Sequence, residues 1–171
     1  MIFSVRPTTI ADTALLPAIE QDAGQRFRDI PELTWIADGP VISLENHQQF
    51  VRRGMSWVAL ADNRPVGFLL AEAQGKSLFI VEISLHRAWQ GKGLGRKLMA
   101  YMQAWASQRR FSELTLTTFR DVPWNAPWYA RMGFEMLPET SLSAVIRQKL
   151  EQEVAHGMAY ESRCAMRLML S

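Results

Sequence analysis

Three closely spaced glycines between an apolar run and a helix-like run constrain this chain more than any other feature. The hexapeptide QGKGLG, residues 90–95, follows FIVEISLH after three residues and precedes RKLMAYMQAWASQRR. Gly91, Gly93 and Gly95 stand at alternate positions, so side chains are excluded where a predicted strand leads into a predicted helix. Backbone N–H groups and the positive end of the helix dipole are therefore open to an anion at this point.

The residues around the glycines favour a phosphate or a pyrophosphate as that anion. Lys92 and Arg96 add positive charge to the loop. The spacing G-x-G-x-G is not the G-x-G-x-x-G of dinucleotide-binding folds, and the G-x-x-x-x-G-K-[ST] phosphate loop is absent. A tight turn whose glycines only relieve steric crowding is the alternative, but three glycines beside two cations favour the anion site.

The apolar pattern predicts an α/β chain with the order β-α-α-β-β-β-α-β-α-(β)-α-β. DNRP and QGK join three consecutive strands tightly, so these strands pair antiparallel, and a strand–helix–strand crossover follows them. Helices are expected after Thr9, with a kink or a late start at Pro17, and between Ser43 and Gly54. Residues 27–40 are predicted to form a long loop. The predicted strands are IFSVRP, SWVALA, VGFLLAEA, SLFIVEISLH, SELTLTTF and SRCAMRLML, and the later helices are residues 94–110, 125–133 and 143–156.

Composition excludes several classes of protein. The 171 residues, 48% hydrophobic and 21% charged, predict a single globular domain over residues 1–171 in the cytoplasm. A net charge of +2 does not indicate a nucleic-acid or membrane partner. The single cysteine, Cys164, excludes an internal disulfide, and the three histidines are too far apart in sequence for a metal-ligand pattern.

Two motifs resemble the GCN5-related N-acetyltransferase (GNAT) family. EISLHRAWQGKGLGRKLM resembles its acetyl-coenzyme-A-binding motif [Q/R]-x-x-G-x-[G/A], whose defining positions are Gln90, Gly93 and Gly95. WYARMGF, about 35 residues later, resembles the family's Tyr-x-x-x-Gly-Phe element. The resemblance covers nearly the whole chain. It implies a mixed, mostly antiparallel sheet of six to seven strands, with helices on both faces and a splayed central parallel strand pair.

The resemblance also implies acetyl-CoA as cosubstrate and a set of residues that bind it. The diphosphate would lie on the main chain of residues 90–96, and the pantetheine arm would pair with the preceding strand. For Asn125, contact with the pantetheine or the acceptor and capping of its own helix stay open as alternatives. The expected coenzyme contacts are Ile83, Ser84, Leu85, Gln90, Gly91, Lys92, Gly93, Leu94, Gly95, Arg96 and Asn125.

Acetyl transfer to an amine needs a base for the amine and a proton donor for the leaving thiolate. Tyr129 is the expected donor by its match to the family motif; its alternative role is that of a packed aromatic ring. Glu82 is the candidate base, because strand alternation places it with Ile80 and Ser84 on one face; a structural pair with an arginine is its alternative. His86 is expected to be a hydrogen-bonded histidine. His86 and a chain of water molecules remain alternatives to Glu82 as the general base.

The sequence gives less information about the acceptor than about the coenzyme. The resemblance implies a primary amine of a small molecule or peptide, direct attack in a ternary complex, no metal, and a fold in which many members form homodimers. Aromatic walls would suit an apolar or cationic amine, whereas arginines would suit a carboxylate or phosphate. A non-catalytic acyl-CoA sensor on the same fold is the alternative function, and a nucleic-acid-binding domain has little support. Candidate acceptor residues are Arg26, Phe27, Arg28, Asp29, Trp35, Asp38, Arg120, Asp121 and Trp124.

Overall fold

A computed structural model describes residues 1–171 as seven strands and six α-helices joined by short 3-10 turns. The strands are β1 (Phe3–Pro7), β2 (Ser56–Ala61), β3 (Arg64–Gln74), β4 (Ser77–Leu85), β5 (Glu113–Phe119), β6 (Glu135–Met136) and β7 (Arg163–Met169). The helices are α1 (Leu16–Gly24), α2 (Thr34–Ala37), α3 (Leu44–Arg52), α4 (Leu94–Gln108), α5 (Ala126–Ala130) and α6 (Ala144–Ala155). The predicted element order is confirmed except for α2, a short helix that falls within the residues predicted to form a loop.

The strands form one mixed sheet in the order β1-β2-β3-β4-β5-β7-β6. β1 pairs antiparallel with β2, β2 with β3, and β7 with both β5 and β6. The parallel pair is β4 with β5, and its register covers Ser77–Phe79 of β4. A mixed, mostly antiparallel α/β sheet was the expectation, and the number of strands is seven.

By contacts the chain divides into two compact units, the first of which contains Met1–Glu72 and Ile80–Trp105. In this first unit, β2 contributes buried side chains to both faces of the sheet, because neighbouring residues of a strand point in opposite directions. Val58 belongs to a buried cluster with Leu16 and Ile19 of α1, against which Phe50 of α3 also packs. The ring of Trp57, on the other face, meets Trp105 of α4 edge-on at 5.0 Å between centroids.

The second unit contains Ala73–Phe79 and Ala106–Ser171. α6 packs on one face of its strands: the Thr117 hydroxyl donates to Glu153 over 2.5 Å, and the Lys149 ammonium lies 4.9 Å from the Phe79 ring centroid. On the other face, Leu168 of β7 lies against Gly133, just beyond α5. α6 lies in the connection between β6 and β7.

The first helical region begins as the sequence predicts. The Thr9 hydroxyl and N–H both donate to the Asp12 carboxylate, and the Thr9 hydroxyl accepts from the Asp12 N–H, which makes a reciprocal cap. A 3-10 turn follows and α1 starts only at Leu16, so that Pro17 falls in the first turn, where a proline needs no N–H partner.

The prediction of a long loop at residues 27–40 is wrong over most of its length. Two 3-10 turns, Gln25–Asp29 and Pro31–Leu33, lead directly into α2. Side-chain contacts hold them together: Gln25 donates to the Ala37 carbonyl over 2.9 Å, and Arg28 pairs with Asp38 at 2.5 Å. These short turns have no apolar period, since long-range contacts rather than a repeating pattern stabilise them.

Candidate functional site

The glycine loop has the backbone conformation that its composition suggests. Gly91 and Gly93 adopt φ values of +77° and +86°, a region that other residues rarely enter. A Cβ atom at either position would meet nothing within 4 Å, so the loop borders open space. α4 begins directly afterwards at Leu94, and the N–H groups of its first turn have no acceptor within the helix. The loop therefore fits an anionic group that contacts the main chain itself.

Gln90 has a structural role within the turn that precedes the loop. Its Nε2 donates to the Leu85 carbonyl over 2.7 Å, bridging the end of β4 to the beginning of the loop. The resemblance nominated Gln90 as a coenzyme contact, and that contact stays a prediction. The hydrogen bond from its side-chain amide to a carbonyl five positions earlier already fixes the direction in which the chain enters the loop.

The last residues of β4 carry Glu82, Ile83, Ser84 and Leu85 in the first unit, and all but Ser84 are partly exposed. The Ser84 hydroxyl points back along its own face and donates weakly to Glu82 Oε2 over 3.4 Å. β3 approaches very closely here: a Cβ on Gly67 would lie 2.9 Å from the Ser84 carbonyl oxygen and 2.5 Å from Leu85 Cδ1. Gly67 thus allows the two backbones to meet.

His86 is a hydrogen-bonded histidine, as expected. Its Nδ1 accepts from the Ala88 N–H over 3.1 Å and so caps the short turn Arg87–Trp89. Its Nε2 lies 3.5 Å from Asp22 Oδ1 on α1. Both ring nitrogens therefore have neighbours within the first unit, which disfavours His86 as the base.

Tyr129 lies in the second unit on α5 and is 7% exposed. Its ring packs edge-on against Trp128 at 5.1 Å and against Phe134 at 5.7 Å between centroids. The Phe134 N–H also donates to the Tyr129 carbonyl over 3.2 Å, so the Tyr-x-x-x-Gly-Phe element closes on itself. These contacts make the tyrosine a rigidly held ring.

Asn125 stands at the N-cap position of α5, but its side chain makes no capping hydrogen bond. Its Nδ2 donates to the Trp124 carbonyl over 3.3 Å, and its Oδ1 is buried without a hydrogen-bond partner. Buried acceptors without a partner are costly and uncommon. Of the two alternatives for Asn125, contact with a bound molecule thus gains support over capping.

The acceptor candidates are distributed over both units. In the first unit, Arg28 is occupied by Asp38 and by Gln25 Oε1, and Trp35 is 42% exposed. In the second unit, Arg120 lines an open groove of about 300 Å³. Arg120 donates to the Arg163 carbonyl and to the Met136 sulfur, neither of which is a carboxylate. The other lining residues are Leu137, Glu139, Leu142, Leu150, Tyr160, Glu161, Arg163, Cys164 and Ala165.

Two further features of the structure concern metals and membranes. No three His, Cys, Asp or Glu side chains in residues 1–171 form a group that could hold a metal ion. None of the helices combines the length and the apolar character that crossing a bilayer requires.

Comparison with known families gives a match that covers more than half of the chain. The profile of the acetyltransferase (GNAT) family matches residues 21–134, a span that includes the glycine loop and ends at Phe134. The chain belongs to the acetyltransferase (GNAT) family.

Solved structures of GNAT proteins share the fold at low sequence identity. The PaiA N-acetyltransferase of Thermoplasma acidophilum, in complex with coenzyme A, is 15% identical with a TM-score of 0.73, covering 99% of each chain. The ribosomal-protein-S18-alanine N-acetyltransferase of Escherichia coli is 15% identical with a TM-score of 0.67, covering 99% of this chain and 95% of that one. N-acetylglutamate synthase of Neisseria gonorrhoeae, complexed with coenzyme A and N-acetyl-glutamate, is 14% identical with a TM-score of 0.72, covering 100% of this chain and 36% of that one. Acetyl-CoA is the cosubstrate consistent with these coenzyme A complexes.

Two residues near the loop were missed by sequence reasoning. Asp22 contacts the turn before the glycine loop from 65 positions away, and Gly67 lies in a different strand from the backbone it admits. A glycine inside an apolar strand is a recognised sign of close backbone approach, so Gly67 could have been noticed. Nothing around Asp22 in the sequence distinguishes it from other helix-surface carboxylates.

Proposed function

We propose that this protein is an acetyl-CoA-dependent N-acetyltransferase that transfers an acetyl group to a primary amine. The observation that carries the proposal is the glycine loop: positive φ at Gly91 and Gly93, open space beside both, and the start of a 15-residue helix directly after them. Main-chain N–H groups at a helix start bind phosphates well. The diphosphate would lie on residues 90–96, and the pantetheine arm along Ile83, Ser84 and Leu85.

Glu82 and Tyr129 have complementary roles in the proposed reaction. Glu82, directly or through water, accepts a proton from the acceptor ammonium, since only the neutral amine can attack the thioester carbonyl. The neutral amine attacks the thioester carbonyl and forms the C–N bond. As the tetrahedral intermediate collapses, the C–S bond breaks and Tyr129 donates its hydroxyl proton to the leaving sulfur. The proton that the new amide nitrogen loses returns to the Tyr129 oxygen, and Glu82 releases its proton to solvent. Backbone N–H groups near Ser84 and Leu85 would stabilise the negative charge on the carbonyl oxygen.

The acceptor is proposed to be the primary amine of a small molecule or a peptide. Because Arg28 is already paired with Asp38, whereas Arg120 donates to a carbonyl and a sulfur, Arg120 is the arginine that we assign to a carboxylate on that acceptor. The exposed Trp35 suits the apolar part of an amine.

The test is release of coenzyme A thiol from acetyl-CoA across a panel of amines, together with calorimetric titration of coenzyme A. Tyr129→Phe is expected to lower kcat by roughly 10²–10⁴ and to leave the Kd for coenzyme A nearly unchanged. Tyr101→Phe is the control, because Tyr101 is an exposed tyrosine on α4 outside the proposed chemistry. A Tyr129→Phe enzyme with wild-type turnover would remove Tyr129 from the mechanism.

A non-catalytic acyl-CoA sensor is the second candidate, and the packing of Tyr129 between Trp128 and Phe134 favours it. A sensor would keep the glycine loop and use Tyr129 only as a buried ring. Tight coenzyme A binding with no turnover on any amine would support the sensor and overturn the enzyme.

A further inference from the structure

A carboxylate on α1 holds the turn between β4 and the glycine loop. Asp22 Oδ2 accepts the Arg87 N–H over 2.8 Å, and Asp22 Oδ1 accepts from Arg87 Nη2 over 3.1 Å. His86 Nε2 lies 3.5 Å from the same Oδ1. One side chain therefore contacts two consecutive residues of the turn, and it binds one of them through the main chain.

The turn itself is closed by four local hydrogen bonds. His86 accepts from the Ala88 N–H at its ring and from the Trp89 N–H at its carbonyl. The Gln90 N–H donates to the Arg87 carbonyl, and the Gln90 side chain donates to the Leu85 carbonyl. The five residues from His86 to Gln90 thus have a defined shape. What Asp22 adds is the placement of that shape against α1.

The strength of this attachment comes from the backbone bond more than from the ion pair. The Arg87 side chain is 50% exposed, and exposed ion pairs contribute little to stability. The Asp22 side chain is only 21% exposed. Partial burial acts to raise the pKa of Asp22, but the hydrogen bonds from Arg87 outweigh it and hold the pKa below its ordinary value. Asp22 is thus a charged acceptor for a main-chain N–H, the stronger kind of hydrogen bond.

We propose that Asp22 is a positioning residue for the coenzyme: it fixes the turn of residues 86–90, so that the N–H groups of the loop converge on the diphosphate. This role rests on the proposed function of the loop as the coenzyme site. Asp22 acts through Arg87 and the turn. A loop whose first residues are already fixed loses less conformational entropy when an anion binds. Asp22 is therefore expected to lower the Kd for the coenzyme.

The α1 helix also leads into a segment nominated for the acceptor. Three residues after Asp22, Gln25 joins α1 to α2 through the carbonyls of Gln21 and Ala37. Asp22 therefore connects the same helix to the coenzyme loop at one point, while Gln25 connects it to residues 25–38 at another.

The experiment compares Asp22→Asn with Asp62→Asn. The amide keeps the size of the side chain and removes its charge, so Asp22→Asn should raise the Kd for coenzyme A and the KM for acetyl-CoA by about tenfold, with kcat at saturating acetyl-CoA within about twofold of wild type. Asp62 is the matched control because it also accepts a backbone N–H, from Ile2 over 2.8 Å, in the same unit. Asp62→Asn should leave the Kd and the KM unchanged.

Arg87→Ala provides a second variant that is less damaging to the fold. It removes the guanidinium and keeps the main-chain hydrogen bond to Asp22, so the Kd should rise by only about two- to threefold. Circular dichroism and thermal unfolding check that each variant is folded, and Arg87→Ala decides the outcome if Asp22→Asn does not fold.

The failures of the two proposals are distinguishable. A wild-type protein that binds no coenzyme A overturns the proposed function, and the role of Asp22 with it. Wild-type binding with an unchanged Kd in folded Asp22→Asn overturns the positioning role alone. A fall in kcat at constant KM would also overturn it, because a residue that only positions the coenzyme loop should affect binding.

Discussion

At the scale of single residues, two glycines allow two effects of a substitution to be measured separately: strain in the backbone, and obstruction of the proposed coenzyme site. Gly93 and Gly54 both have positive φ, at +86° and +70°, and a Cβ atom at either position would meet nothing within 4 Å. A side chain at either position is strained to a similar degree, by about 1–2 kcal/mol. Gly93 lies in the proposed diphosphate site, whereas Gly54 follows the end of α3.

Gly93→Glu is therefore expected to abolish coenzyme A binding, because it adds a carboxylate where the phosphates would lie. Gly54→Glu should lose a similar amount of stability and keep the wild-type Kd. Calorimetric titration measures the Kd, and urea unfolding measures the free energy of unfolding. Equal coenzyme affinity in the two variants would mean that the loop does not hold the diphosphate.

At the scale of elements, the contact between β3 and the end of β4 depends on Gly67. A methyl group there would lie 2.9 Å from a backbone oxygen, which cannot yield as a flexible side chain can. Gly67→Ala is expected to lower the free energy of unfolding by about 1–3 kcal/mol. Gly24→Ala is the control, since Gly24 ends α1 and a Cβ atom there would meet nothing within 4 Å, so it should be neutral or slightly stabilising. Denaturant unfolding of both variants tests this, and a Gly67→Ala protein as stable as wild type would contradict it.

The elements differ in how much of them the sequence predicts. SWVALA coincides with β2, because its apolar run ends at Asp62 and Asn63, which take positive φ in the following turn. The sequence also predicts the glycine loop, because the strand, the glycines and the helix follow one another directly in the chain. Residues 27–40 were wrongly predicted to form a loop, because Gln25 and Arg28 order this segment through partners ten or more positions away. The same limit hid Asp22, whose role exists only once α1 and the turn are folded together.

At the scale of the whole molecule, His47 makes stability depend on pH. It is fully buried on α3, its ring meets Phe68 edge-on at 4.9 Å, and neither ring nitrogen has a hydrogen-bond partner. Burial lowers its pKa from 6.5 to about 4. Below pH 6.5 the imidazole of the unfolded chain binds a proton, whereas the buried imidazole of the folded chain stays neutral down to about pH 4. The free energy of unfolding is therefore not reduced by His47 above pH 6.5, and it decreases as the pH falls from 6.5 towards 4.

The loss should reach about 3 kcal/mol at pH 4, since each pKa unit corresponds to about 1.4 kcal/mol. Glu20 opposes it: burial raises its pKa, so the folded chain takes up that proton first as the pH falls. Comparing wild type with His47→Leu by urea unfolding from pH 7.5 to pH 4 separates the two groups, because Glu20 is present in both proteins. The free-energy difference between them should shift in favour of His47→Leu as the pH falls through this range. A pH-independent difference between wild type and His47→Leu would show that folding does not shift the pKa of His47, and a difference that moved in favour of wild type as the pH falls would show that folding raises it.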